Sequence, residues 1–98
     1  MKVFFIVHGL VQGVGYRKLV KNIAVKCGVM GMVRNAADGS VQIYAEGSNS
    51  SIEEFISRID VDYDQGPQVF NIERYYEGDP GFPKEPMSFN SFVIERTV

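Results

Sequence analysis

Two stretches of this chain repeat their apolar residues at the spacing of an amphipathic helix, and the chain between and around them is too short for anything but strands and turns. Over residues 16–27, Leu19, Val20, Ile23, Ala24 and Cys27 fall at i, i+1, i+4, i+5 and i+8, one buried stripe. Past Ser50, Ile52, Phe55, Ile56 and Ile59 repeat the pattern at i, i+3, i+4 and i+7. Neither stripe can be buried by its own helix, so both must lie against a shared partner. Gly28 sits just past the first helix, where a left-handed residue ends it. Ser50 with Glu53, or Ser51 with Glu54, gives the second helix a capping box at its start.

The partner is a sheet. Residues 2–8 read as a strand, with Val3, Phe5 and Val7 on one face and Phe4, Ile6 and His8 on the other. Both sets are largely apolar, as a central strand requires. Further strands are expected over 30–35 and 40–46, joined by a hairpin turn at Ala36-Ala37-Asp38-Gly39, and over 69–77. Glu77 to Pro86 carries three prolines and reads as a loop, followed by a last strand over 91–96. Strand-helix-strand-strand-helix-strand is the split β-α-β order of a ferredoxin-like α+β fold, here with an additional C-terminal strand. It places both helices on one face of a mostly antiparallel sheet. The other face, with Phe4, Ile6 and Tyr44, is then expected to be partly exposed and open to self-association.

Ninety-eight residues make one domain, 1–98, and apolar and charged contents of 45% and 22% are ordinary for a globular chain. The net charge of −2 argues against a nucleic-acid partner bound through a broad basic surface. One cysteine, Cys27, permits no internal disulfide, and its place on a buried stripe makes it a packed thiol rather than a nucleophile. The apolar run Val3–Val7 is too short for a signal peptide or a membrane span, so a cytoplasmic protein with no membrane partner is expected. His8 is the only histidine, with no carboxylate nearby in the chain, and no metal role is read for it.

Between the first strand and the first helix lies Gly9-Leu10-Val11-Gln12-Gly13-Val14-Gly15-Tyr16-Arg17. Three glycines let the backbone turn tightly and leave room for a ligand. A helix start offers unpaired N–H groups and a partial positive charge, which favour an anion. Arg17 in that first turn opposes the helix dipole at a cost of roughly 0.3–1 kcal/mol, which a bound anion would reverse. The loop is not a P-loop, because Val14 stands where the second glycine is needed. Nor is it a dinucleotide fingerprint, because Lys18 stands where the third glycine is needed.

Val7-His8-Gly9-Leu10-Val11-Gln12-Gly13-Val14-Gly15-Tyr16-Arg17 closely resembles the first signature of the acylphosphatase family. Gly31-Met32-Val33-Arg34-Asn35, with Asp38, Gly39, Val41 and Gly47, resembles the second, and Gly66-Pro67 and Phe92-x-Ile94 are similar to the family as well. The resemblance spans essentially the whole chain. It implies hydrolysis of the carboxyl-phosphate bond of a small-molecule acyl phosphate by water, with phosphate as product and inhibitor and with no metal or organic cofactor. It implies that Arg17 and the segment Gln12, Gly13, Val14, Gly15 and Tyr16 bind the phosphate, and that Asn35 positions the attacking water. Met32 stands where the family usually has an aromatic residue, which bears on the shape of the pocket.

This chemistry suits the residues: the leaving group is good, so positioning and charge stabilisation suffice. A chain that begins at Met1 and ends soon after its last strand is expected to be a free-standing, monomeric enzyme. The rival is a non-catalytic phosphate-binding or regulatory domain on the same scaffold. An RNA-recognition module shares the element order, but no strand here carries its basic aromatic motif.

Overall fold

The computed structural model of the protein describes residues 1–96. Its elements are β1 (Lys2–Leu10), α1 (Tyr16–Cys27), β2 (Met30–Asn35), β3 (Val41–Glu46), α2 (Asn49–Ile59), β4 (Gln68–Tyr76) and β5 (Phe92–Ile94). They form one five-stranded sheet in the order β4-β1-β3-β2-β5. β1 lies antiparallel to both β3 and β4, β2 lies antiparallel to β3, and β5 joins the edge parallel to β2. This is the ferredoxin-like α+β arrangement with its added C-terminal strand. Asn71 and Arg74 interrupt the alternation of β4 because β4 is an edge strand whose residues there are exposed. No helix among the described residues is long and apolar enough to cross a membrane.

One sheet face is buried as the periodicities require. Val3, Phe5 and Val7 meet Val20, Ile23, Ile52, Phe55 and Ile59 in one cluster, while Leu19 and Ile56 pack at its margin. The Phe55 ring lies 6.1 Å from Phe5 and 6.0 Å from Phe92, so β5 is tied to the same core. Cys27 closes the α1 stripe, and burial pushes its thiol pKa up.

The start of α2 differs from the expectation. Its cap is Ser48, whose extended backbone lets Oγ accept the Ser51 N–H at 3.2 Å. Ser50 and Ser51 lie inside the first turn, and their hydroxyls sit 3.3 and 3.0 Å from Ser48 Oγ. An earlier serine at the same three-residue offset took the role, so neither capping box forms.

The second sheet face is not bare. Phe4, Met32 and Tyr44 are buried there beneath the segment 77–90. The Tyr44 ring lies 6.1 Å from Phe82 and 5.6 Å from Phe89, and Met87, Val93 and Tyr75 complete the cluster. Pro80, Pro83 and Pro86 keep this strap out of helices and strands, yet its apolar residues anchor it across the sheet. Gly81 passes so close to Tyr75 that a Cβ would come within 2.2 Å of the ring. The expected exposed surface is therefore covered by the chain itself, and Ile6 alone of the three named residues stays half-buried.

Candidate active site

The loop between β1 and α1 is fixed at its ends and open in its middle. Val11 is buried in the main core. Gln12 turns its side chain away from solvent, and its Nε2 donates to the carbonyl oxygens of Ala36 and Ser40, both at 2.8 Å. Tyr16 is buried, and its hydroxyl donates to the carbonyl of Ile59 at 2.8 Å. Burial first, and the Asp60 charge second, push the Tyr16 phenol pKa well up, so it stays a neutral donor. Between these anchors Gly13, Val14 and Gly15 are exposed.

Gly15 occupies the cap position of α1 in the left-handed region (φ 79°) and brings no side-chain acceptor to the helix. The first turn holds no acidic residue either. The N–H groups that a serine or aspartate would normally satisfy therefore have no capping side chain. Gly13, Gly15, Tyr16 and Arg17 line a cavity of about 190 Å³ with Val11, Lys18 and Ile94. Arg17 is half-buried, and among the described residues no carboxylate pairs with it. Gly13, Gly15, Tyr16 and Arg17 are thus brought together as expected. Val14 stays at the exposed tip, the Tyr16 side chain is engaged elsewhere, and Gln12 reaches the hairpin rather than the cavity.

Asn35 ends β2 at the foot of that hairpin and is not among the residues that line the cavity. It is 8% exposed, and its Oδ1 is sealed from solvent with no hydrogen-bond partner among the described residues. An unpaired buried acceptor costs about 1–3 kcal/mol, which makes the Asn35 oxygen a costly exception among the buried polar atoms. The turn beside it is stiffened by Asp38, whose Oδ1 accepts from the Ser40 N–H at 2.9 Å and the Ser40 hydroxyl at 2.6 Å. Those bonds hold the Asp38 carboxyl below its usual pKa. Gln12 clasps the carbonyls of Ala36 and Ser40, and so couples the anion loop to the turn that carries Asn35.

Two expectations change. Met32 is almost fully buried under the strap with Phe4 and Tyr44 and takes no part in lining the cavity, so it does not shape the pocket. His8 does have a carboxylate neighbour: its Nε2 lies 2.5 Å from Glu73 Oε2, across the β1–β4 pairing. The Tyr75 hydroxyl donates to Glu73 Oε1 at 2.5 Å, and this bond, ahead of the His8 contact, draws the Glu73 pKa down. The pair was invisible in the chain because its members are 65 positions apart. Among the described residues no three His, Cys, Asp or Glu side chains gather as a metal-binding group.

An open helix start with a cation in its first turn stands here on a ferredoxin-like sandwich, which puts the chain in the class of α+β proteins with two helices on one sheet. Its relatives narrow that class. The sequence matches the acylphosphatase family model over residues 3–93. It is 37% identical to an acylphosphatase of Pasteurella multocida over 92% of this chain and 96% of that one. The fold is similar to that of an acylphosphatase from Bacillus subtilis, with a TM-score of 0.78, 28% identity and coverage of 96% and 97% of the two chains. It is also similar to 12% of the chain of T. kodakarensis HypF, with a TM-score of 0.77, 28% identity and 97% of this chain covered. The chain belongs to the acylphosphatase family. It is a hydrolase of acyl phosphates.

Proposed function

We propose that the transferred phosphoryl group sits on the backbone N–H groups of Gln12 to Tyr16 and on the guanidinium of Arg17, and that Asn35 orients the attacking water. The reading rests above all on the uncapped start of α1 with Arg17 on the cavity wall. The N–H groups and the guanidinium fork fit the three non-bridging oxygens, whose charge persists from ground state to transition state. Asn35 contributes a buried amide fixed at the end of β2. Water oriented by that amide attacks phosphorus in line with the leaving group. Its oxygen becomes the fourth oxygen of inorganic phosphate, its protons stay with that phosphate or pass to solvent, and the broken P–O bond's electron pair leaves with the carboxylate. A carboxylate needs no proton to depart, so no acid is required.

The same reading takes the chain as one domain and a monomeric, cytoplasmic enzyme acting without a metal. The strap over Phe4, Met32 and Tyr44 supports the monomer by removing the apolar surface that a partner would cover. The test is release of phosphate from acetyl phosphate and from a phosphate monoester, with and without a chelator. Release from the first substrate alone, unaffected by the chelator, is the expected result. Turnover that the chelator abolishes would overturn the metal-free mechanism.

A further inference from the structure

The cavity has one wall that the phosphoryl group cannot use. β5 turns Phe92 into the main core, and Ile94, two residues on, lies on the same strand face. Ile94 pairs in parallel register with Val33 but remains 42% exposed, because it stands on the cavity beside the loop glycines and Arg17. A branched hydrocarbon offers nothing to phosphate oxygens. It gains only by covering carbon, and an acyl phosphate carries its carbon on the end away from phosphorus. The polar groups of the same cavity, Arg17 and the loop N–H groups, already match the phosphoryl end.

We propose that Ile94 is a specificity-determining residue that packs against the acyl group and favours acyl phosphates with a bulky apolar acyl group over acetyl phosphate. The inference rests on the placement of phosphate at the α1 start. A contact of this kind is equally strong before and in the transition state, so it shows in KM rather than kcat. Ile94 ends a short edge strand and is partly solvent-exposed, so its truncation spares the core.

The experiment compares kcat/KM for benzoyl phosphate and acetyl phosphate in the parent enzyme and in Ile94→Ala, with competitive inhibition by inorganic phosphate measured in both. The parent is expected to favour the benzoyl compound, and Ile94→Ala to cut that preference by about 5-fold or more through a raised KM for benzoyl phosphate alone. Acetyl phosphate turnover and phosphate inhibition should change much less, because a methyl group offers Ile94 little carbon to cover and inorganic phosphate offers none. Turnover of both substrates with an unchanged ratio in the variant overturns the inference and leaves the phosphate site standing. A parallel fall for both substrates together with weakened phosphate inhibition also overturns it, because Ile94 would then be supporting the loop. Failure of phosphate to inhibit the parent at all sinks the site placement, and with it the inference.

Discussion

The two halves of the proposed active site are built on opposite terms. The anion loop is open: its middle is three exposed residues, its cation is half-buried, and its helix start is left uncapped. The hairpin half is closed: Asn35 is buried, its acceptor has no partner among the described residues, and the turn beside it is locked by Asp38 and Ser40. A group that neutralises a dianion must reach it from water and release phosphate afterwards, and partial hydration keeps that exchange cheap. A group that aims one water must not wander, and burial fixes it. Gln12 joins the halves, because its side chain ties the loop to the carbonyls of Ala36 and Ser40 on the hairpin.

If the open half acts by geometry as well as charge, Arg17→Lys should lose on the order of 100-fold or more in kcat/KM, because lysine keeps the charge but not the planar fork. Kinetics at low and high salt would decide it. A lysine enzyme within a few-fold of the parent leaves Arg17 with a purely electrostatic role. Phosphate at 100 times its Kd should stabilise the parent by about 2.7 kcal/mol, and Arg17→Ala should lose most of that protection in a thermal melt.

The closed half should fail differently. Asn35→Ala is expected to lower kcat by roughly 10- to 100-fold, while inhibition by phosphate stays near the parent value. The same variant should be as stable as the parent or more so, because it deletes a buried acceptor that has no partner among the described residues. Normal turnover in Asn35→Ala would end its assignment.

Gln12→Ala tests the joint itself. It removes two hydrogen bonds worth about 1 kcal/mol each and should reduce kcat/KM by several-fold up to about 10-fold, with kcat and KM both affected. A Gln12→Ala enzyme that loses stability but no activity would show that the halves hold their spacing without it.

The smallest effect expected is on acid stability. Glu73 and Asp38 both have lowered carboxyl pKa values in the folded protein. Each therefore stabilises the fold above its unfolded pKa, and the gain disappears as pH falls through the folded value. Urea midpoints should drop between about pH 5 and 3, and Glu73→Gln should flatten part of that slope. An identical slope in the variant would remove Glu73 from the acid transition.

What could be read from the chain follows from the range of each interaction. Both helical stripes, the β2 boundaries and the glycine loop are local patterns, and the structure has them as the sequence implies. The strap over the second face has no period: Phe82, Met87 and Phe89 are spaced by proline turns, so composition reads as a surface loop. Met32 was judged by its place in a motif, but strand alternation sends it to the face opposite Val33, away from the cavity. The Gln12 clasp and the His8–Glu73 pair depend on which strands become neighbours, which no local pattern specifies. Ile94 is legible as a strand residue that alternates with Phe92, but its place on the cavity depends on β5 pairing with β2.

The order of strands in the sheet also sets when the enzyme can exist during its own synthesis. β1 leaves the ribosome first, yet its neighbours in the sheet are β3 and β4, and the anion loop leaves β1 where that strand meets Gln68 and Val69. Arg17, Gln12 and Asn35 are all made before the strand that frames one side of the loop. Closing that gap is a non-local step, and such steps are slow because the intervening chain must be ordered first. A nascent chain stopped short of β4 would carry Arg17, Gln12 and Asn35 and still lack both the finished cradle and Ile94.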